Sequence, residues 1–131
     1  DTDTDTGAGT GLAIAGIYAD GVNRHEITDT LWSIMITAPP YPPATEFDIA
    51  GYDNDEQMVI AQNSEDSGFG SLLWSRFDWA MEGTQLWICH SIWDAATELD
   101  AIDTPAADSS SPSTTGCRDT YAWTALVPST R

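Results

Sequence analysis

What most constrains this chain is a succession of short runs in which large apolar and polar residues alternate, each run ended by turn-forming residues. Residues 71–80 are the clearest case. Leu73, Phe77 and Trp79 fall on one face, and Trp74, Arg76 and Asp78 on the other. Alternate side chains of a strand point to opposite sides of a sheet, so this spacing describes a strand with one buried face. Residues 23–28 and 31–37 read as a hairpin across Thr28-Asp29-Thr30, with Trp32, Ile34 and Ile36 on one face. Residues 45–52 place Phe47 and Ile49 together, and a further run, 56–62, follows the Asp53-Asn54-Asp55 turn. Residues 84–92 are apolar on both faces, as suits a strand covered on both sides. The last run, 119–127, directs Tyr121, Trp123 and Val127 to one side.

The segments between these runs carry their own signals. Four prolines in Ala38-Pro39-Pro40-Tyr41-Pro42-Pro43 lack the amide donor that a central strand needs, so this piece is a rigid extended connector. Residues 64–70 form a polar, glycine-containing loop. Residues 94–102 read as a short helix with Asp94 at its N-cap. Residues 105–116 are a Ser/Thr/Pro-rich excursion of low complexity, anchored at its end by Cys117. Many short strands with a single small helix define an all-β domain. The expected architecture is a small antiparallel β-sandwich or barrel of seven to eight strands, with one short helix and one disulfide. The pattern leaves sandwich and barrel open.

Residues 1–11 stand apart as an acidic Asp-Thr and Gly-rich tail, ahead of a single β domain over 12–131. At the junction Leu12, Ile14, Ile17 and Tyr18 are interleaved with small residues, so 12–18 is a candidate strand to be donated to a neighbouring copy. The 131 residues suffice for one domain with a substantial core. Net charge is −17, with four arginines and no lysine, which argues against nucleic acid, because that partner needs a basic footprint. No apolar run is long enough for a membrane span. The start at Asp1 is expected to reflect removal of a signal peptide.

Cys89 and Cys117 are the only cysteines, and their setting has no zinc-ligand or Cys-x-x-Cys spacing. An even count in a secreted-looking chain points to one disulfide, and hence to an extracellular or cell-surface location. The alternative is two buried thiols. No catalytic signature is present. Ser75 or Ser91 with His25 or His90 lacks a nucleophile elbow, and chance pairs among 21 carboxylates are expected. The reading is therefore a non-enzyme with no cofactor. Asp1-x-Asp3-x-Asp5 has the opening spacing of a calcium loop, but Thr6 and Leu12 stand where glycine and a bidentate glutamate are required, so no metal site is assigned. Trp74 and Arg76 are candidate contacts for a sugar or a protein ligand, since an exposed indole beside a guanidinium suits stacking. The alternative places Trp74 in a second small apolar cluster under the Pro-rich connector. No N-glycosylation sequon occurs, but Thr2, Thr4, Thr6 and Thr10, and the hydroxyls of 109–115, are candidate O-glycan sites.

Trp74-Ser75-Arg76-Phe77-Asp78-Trp79, Trp87-Ile88-Cys89, Asp94-Ala95-Ala96-Thr97, Gly116-Cys117 and Trp123-Thr124-Ala125-Leu126 together resemble small uncharacterised β domains of bacterial secreted proteins and surface lipoproteins. The resemblance covers roughly residues 14–127 and implies extracytoplasmic residence and a Cys89–Cys117 bridge. A second resemblance is to subunits of glycan-coated extracellular fibrils that lend a terminal strand to the next subunit. It rests on Leu12, Ile14 and Tyr18 beyond a glycine hinge. It implies a filament subunit whose partners are copies of itself and a covalent glycan. The rival expectation is a monomeric surface-displayed binding module.

Overall fold

The computed structural model describes residues 11–39, 43–68, 70–118 and 121–129. Its strands are β1 Gly16–Ala19, β2 Asn23–Ile27, β3 Leu31–Ile36, β4 Thr45–Asp53, β5 Met58–Asn63, β6 Trp74–Glu82, β7 Gln85–Ala95, β8 Gly116–Arg118, β9 Tyr121–Ala122 and β10 Thr124–Pro128. One helix, α1, spans Glu98–Asp103. Strands β1 to β7 follow one another as an antiparallel meander, and β10 pairs with both β7 and β1 to close an eight-stranded barrel. Closure removes the exposed edges that a sandwich would have to protect. The barrel, not the sandwich, is the fold.

Up-and-down order puts alternate turns at opposite ends. At one end, the lower, lie the β2–β3 turn with Asp29, the β4–β5 turn with Asn54, and the start of β1. The β1–β2 turn, the 64–73 loop and the end of β7 lie at the other. Inside, Ile27, Trp32, Phe47, Val59, Phe77, Trp79, Leu86, Ile88 and Leu126 fill the lumen. Trp32, Phe77 and His90 stack in a column, with ring centroids 4.1 and 4.2 Å apart, and Phe47 packs edge-on against Phe77 and His90. Ring faces offset against ring edges are the favoured aromatic geometries, so this column fixes the barrel's middle.

A second layer covers the outside of β5, β6 and β7. α1 buries Ala101 against Ile60 and Ala95, with Met58, Trp74 and Ile92 around them. Ala80, Cys89 and Trp123 form another outer cluster with Trp87, Ala107 and Cys117. Both faces of β6 are therefore buried, and the apolar character of both faces of 84–92 has the same cause. The excursion over 105–116 is part of this layer: Ala107 N donates to the Asp78 carboxylate, and Ser113 donates to Glu82 through its backbone amide and its hydroxyl. No helix among the described residues is long and apolar enough to cross a membrane.

Four local expectations change. The helix is capped by Thr97, whose hydroxyl accepts from Asp100 N, and not by Asp94, which still belongs to the end region of β7. Residues 119–127 are not one strand. Tyr121 and Ala122 pair with β8, Trp123 turns outward against the disulfide, and β10 then enters the barrel with Leu126 inward. Tyr121 and Val127 are consequently exposed rather than in the core. The alternation over 12–19 does not make one strand either: Ala15 N donates to Leu12 O in a turn, and β1 starts only at Gly16.

Candidate functional site: the closing seam of the barrel

Leu12, Ile14, Ile17 and Tyr18 were the expected grip on a neighbouring copy, and they stand at the point where the barrel of their own chain closes. Leu12 and Ile14 are buried at the lower end of the lumen, and Tyr18 packs against the same core. Ile17 is half-buried, and its carbonyl accepts from Ser129 N beside β10. A side-chain clamp seats the 11–15 turn. Leu12 N donates to Asp29 Oδ1 at 2.8 Å, Ala13 N to Asn54 Oδ1 at 2.9 Å, and Asn54 Nδ2 to Gly11 O at 3.0 Å. A Cβ on Gly11 would lie 2.5 Å from the Asp29 carboxylate, so a larger residue there would push that side chain away from its bond to Leu12 N.

The seam itself is short. β1 is matched to β2 through four residue pairs, Gly16 to Ala19 against Ile27 to Arg24. Toward β10 it has two, Ala19 with Val127 and Tyr18 with Pro128. Pro128 has no amide hydrogen to donate. By comparison β6 and β7 pair from Trp74–Ala95 to Glu82–Gln85, with irregularities near Arg76.

The β1–β2 turn is tied by one carboxylate. Asp20 accepts from Val22 N and Asn23 N at Oδ1, and from Asn23 Nδ2 and His25 Nε2 at Oδ2. The indole of Trp32 can only donate, and it donates to His25 Nδ1 at 3.1 Å, which fixes the neutral Nε2–H tautomer of His25. That proton points at Asp20, 2.8 Å away. Burial pushes the His25 pKa down, partly opposed by Asp20. Burial alone would raise the Asp20 carboxyl, but its hydrogen bonds, from His25 first, outweigh that and hold it below the usual range. Gly21 follows with φ +101°, a left-handed conformation, and a Cβ there would meet nothing within 4 Å.

His90 faces the lumen nearer the upper end. The amide of Asn63 donates to Gly70 O and Trp93 O, which leaves Asn63 Oδ1 to accept the Ser75 hydroxyl. Ser75 Oγ then accepts from His90 Nε2 at 2.9 Å. The serine proton is directed at Asn63 and His90 donates, the reverse of what a general base beside a nucleophile requires. Burial, with the charge of Arg118, pushes the His90 pKa down to about 3, so the ring is neutral at ordinary pH. Among the described residues, no three His, Cys, Asp or Glu side chains converge to hold a metal.

Arg76, the candidate ligand contact, is a correction: it is 5% exposed and ties the outer layer to the wall. Its Nε donates to Asp78, and its Nη1 to the carbonyls of Ile102 and Thr104. The Asp78 carboxylate also accepts from Ser91 Oγ. Trp74 is half-buried beneath α1, in a cluster with Ile60 and Ala95. The sequence reading missed an aromatic group near the upper end. The Arg118 guanidinium lies 4.0 Å from the Trp93 ring centre and 4.3 Å from that of Tyr121, and its Nε donates to His90 O. Nothing in the spacing of Trp93, Arg118 and Tyr121 signals this; the disulfide brings them together. Cys89 and Cys117 are bonded, with Cα atoms 5.4 Å apart. Thr2, Thr4, Thr6 and Thr10 lie outside the described residues. In the 109–115 tract, the hydroxyls of Ser110, Ser113, Thr114 and Thr115 all donate within the excursion or to Glu82. Comparison with protein-family models, curated proteins and solved structures finds no match to this chain.

Proposed function

We propose that this protein is a structural subunit of an extracellular filament, joined head to tail through its N-terminal segment and carrying glycan on its Asp-Thr tail. The observation that carries the reading is the short β1–β10 seam: the strand next to the tail is held on one side by two residue pairs, one of them to Pro128, and by the Ser129 N–Ile17 O hydrogen bond. A weakly held terminal strand is the element a fold can most readily share with another copy. The Cys89–Cys117 bond supports residence in an oxidising compartment. The charge of −17 disfavours unspecific clustering of copies and leaves a specific joint as the route to association.

A second reading, a surface-displayed binding module, draws on the Trp93–Arg118–Tyr121 group, where Tyr121 is 56% exposed. Rings of this kind stack on sugars. Electron microscopy of native material separates the two readings. Continuous filaments with a repeat of one 14.1 kDa chain support the first, and dispersed particles of single-chain size support the second. On the same material, an intact mass equal to the bare chain would remove the glycan from the proposal.

A further inference from the structure

We propose that copies join by exchanging residues 11–19: the Asp20–Val22 turn opens, and β1 with its 11–15 plug leaves its own barrel for that of the next copy. This rests on the filament reading and specifies its joint. Every contact the segment makes is available to it again in a second copy. Leu12 and Ile14 would re-enter an identical lumen, Asp29 and Asn54 would clamp an identical turn, and β2 and β10 would pair with an identical strand. Opening costs every contact of the segment, plug and clamp as well as seam, but once exchange is complete only the turn is changed. When each copy gives its segment forward and receives one from behind, the contact is heterologous and does not close, which produces a fibre rather than a dimer.

The hinge is a specific device. Asp20 Oδ1 holds the amides of Val22 and Asn23, two hydrogen bonds that exist only while the turn is tight. Gly21, at φ +101°, supplies the conformation that the tight turn demands. An extended hinge needs neither. Short connections held in a demanding conformation are those from which segments swap. The two ends of the hinge differ in what they keep. His25 and Trp32 stay behind in β2 and β3, and their hydrogen bonds offer the Asp20 of an incoming segment the place its own chain's Asp20 has left.

The direct test places cysteines at Ala19 and Val127, which oppose each other across the seam. Full-length chain carrying Ala19→Cys and Val127→Cys is assembled with the added thiols reversibly blocked and Cys89–Cys117 intact, then unblocked, oxidised and run without reductant beside the parent chain. Exchange predicts a ladder of covalent multimers, since each new bond then joins two chains. It also predicts that chain oxidised as a monomer, before assembly, no longer grows filaments. Filaments that yield only monomer bands, or that grow from pre-oxidised monomer, would overturn exchange while leaving the filament reading in place. Absence of filaments from native chain would overturn that reading itself, and exchange with it. A second variant introduces no cysteine. Gly21→Val meets open space but burdens the tight turn, so it should lower the concentration needed for assembly by about tenfold. An unchanged or raised threshold counts against the hinge.

Discussion

The wall of the barrel formed by β6 and β7 and the wall formed by β1 and β10 are built from the same alternation, yet they are secured in different ways. β6 and β7 run side by side for nine and eleven residues, β6 is buried on both faces from Ser75 to Ala80, and β7 is tied by a disulfide to the end of the excursion beyond α1. β1 is four residues long, none of them fully buried, and meets β10 through two pairs. The difference teaches that a closed barrel need not be equally closed all round. Burial and cross-linking gather on one side, and the chain's first strand is the most lightly held.

Substitutions should expose this contrast, and the largest effect belongs to the heavy side. Phe77→Ala removes the ring stacked between Trp32 and His90, and should cost about 3–5 kcal/mol in denaturant unfolding. Loss of less than about 1 kcal/mol would mean the column is not what holds the barrel. Replacing Cys89 and Cys117 by alanine opens a loop of sequence separation 28, and should lower stability by about 3–4 kcal/mol on the chain-entropy account. Leu12→Ala, on the light side, should cost about 2–3 kcal/mol. Its distinguishing mark is that the loss appears in β1 amide protection before it appears in β6 or β7. Equal loss across all strands would make the barrel a single cooperative unit and erase the contrast.

Acid offers a graded version of the same comparison. His25 and His90 are held neutral in the fold, with pKa values below 6.5 and, for His90, at about 3. Below pH 6.5 the unfolded chain binds protons that the folded chain refuses, so stability falls with pH: for His90 the fall runs from 6.5 toward 3 at up to about 1.4 kcal/mol per pH unit, and His25 adds to it in the same direction. Asp20 acts lower. Its depressed pKa gives stability that is present above its ordinary value of 3.8 and lost as pH falls through the folded value. Equilibrium unfolding at stepped pH should show the decline starting near 6.5, and His90→Phe should flatten it. Trp123→Phe is the smallest effect foreseen, within about 1 kcal/mol of zero, because the buried indole N–H it deletes has no hydrogen-bond partner among the described residues.

Much of this arrangement was legible in the residues, and the remainder was illegible for definable reasons. Alternation at Phe47, Phe77 and Trp79 places these rings on shared faces, and the barrel interior is where those faces meet. Alternation does not say whether the opposite face is also covered. Arg76 and Asp78 sit in a polar register and read as surface, yet α1 and the residues after it lie over them. The doubly apolar run at 84–92 and the large apolar Trp74 on the polar face were the signs that this wall has an outer layer. The last strand was misread for a related reason. Alternation grouped Trp123 with Tyr121 and Val127, but Trp123 is buried outside the barrel against the disulfide, and the inward residue is Leu126. The plug was hidden too: Leu12 and Ile14 have strand spacing, and only the Ala15–Leu12 turn bond shows that they enter the lumen from its end.

Native-state amide hydrogen exchange on the monomer reads the seam most directly. The account predicts that Ile17, Tyr18 and Ala19 exchange through a local opening at least about tenfold faster than Phe77, Trp79 and Ala80, whose amides should exchange only with global unfolding. If the amides of β1 were as protected as those of β6, the seam would be no weaker than the rest of the barrel, and the proposed route from monomer to filament would be contradicted.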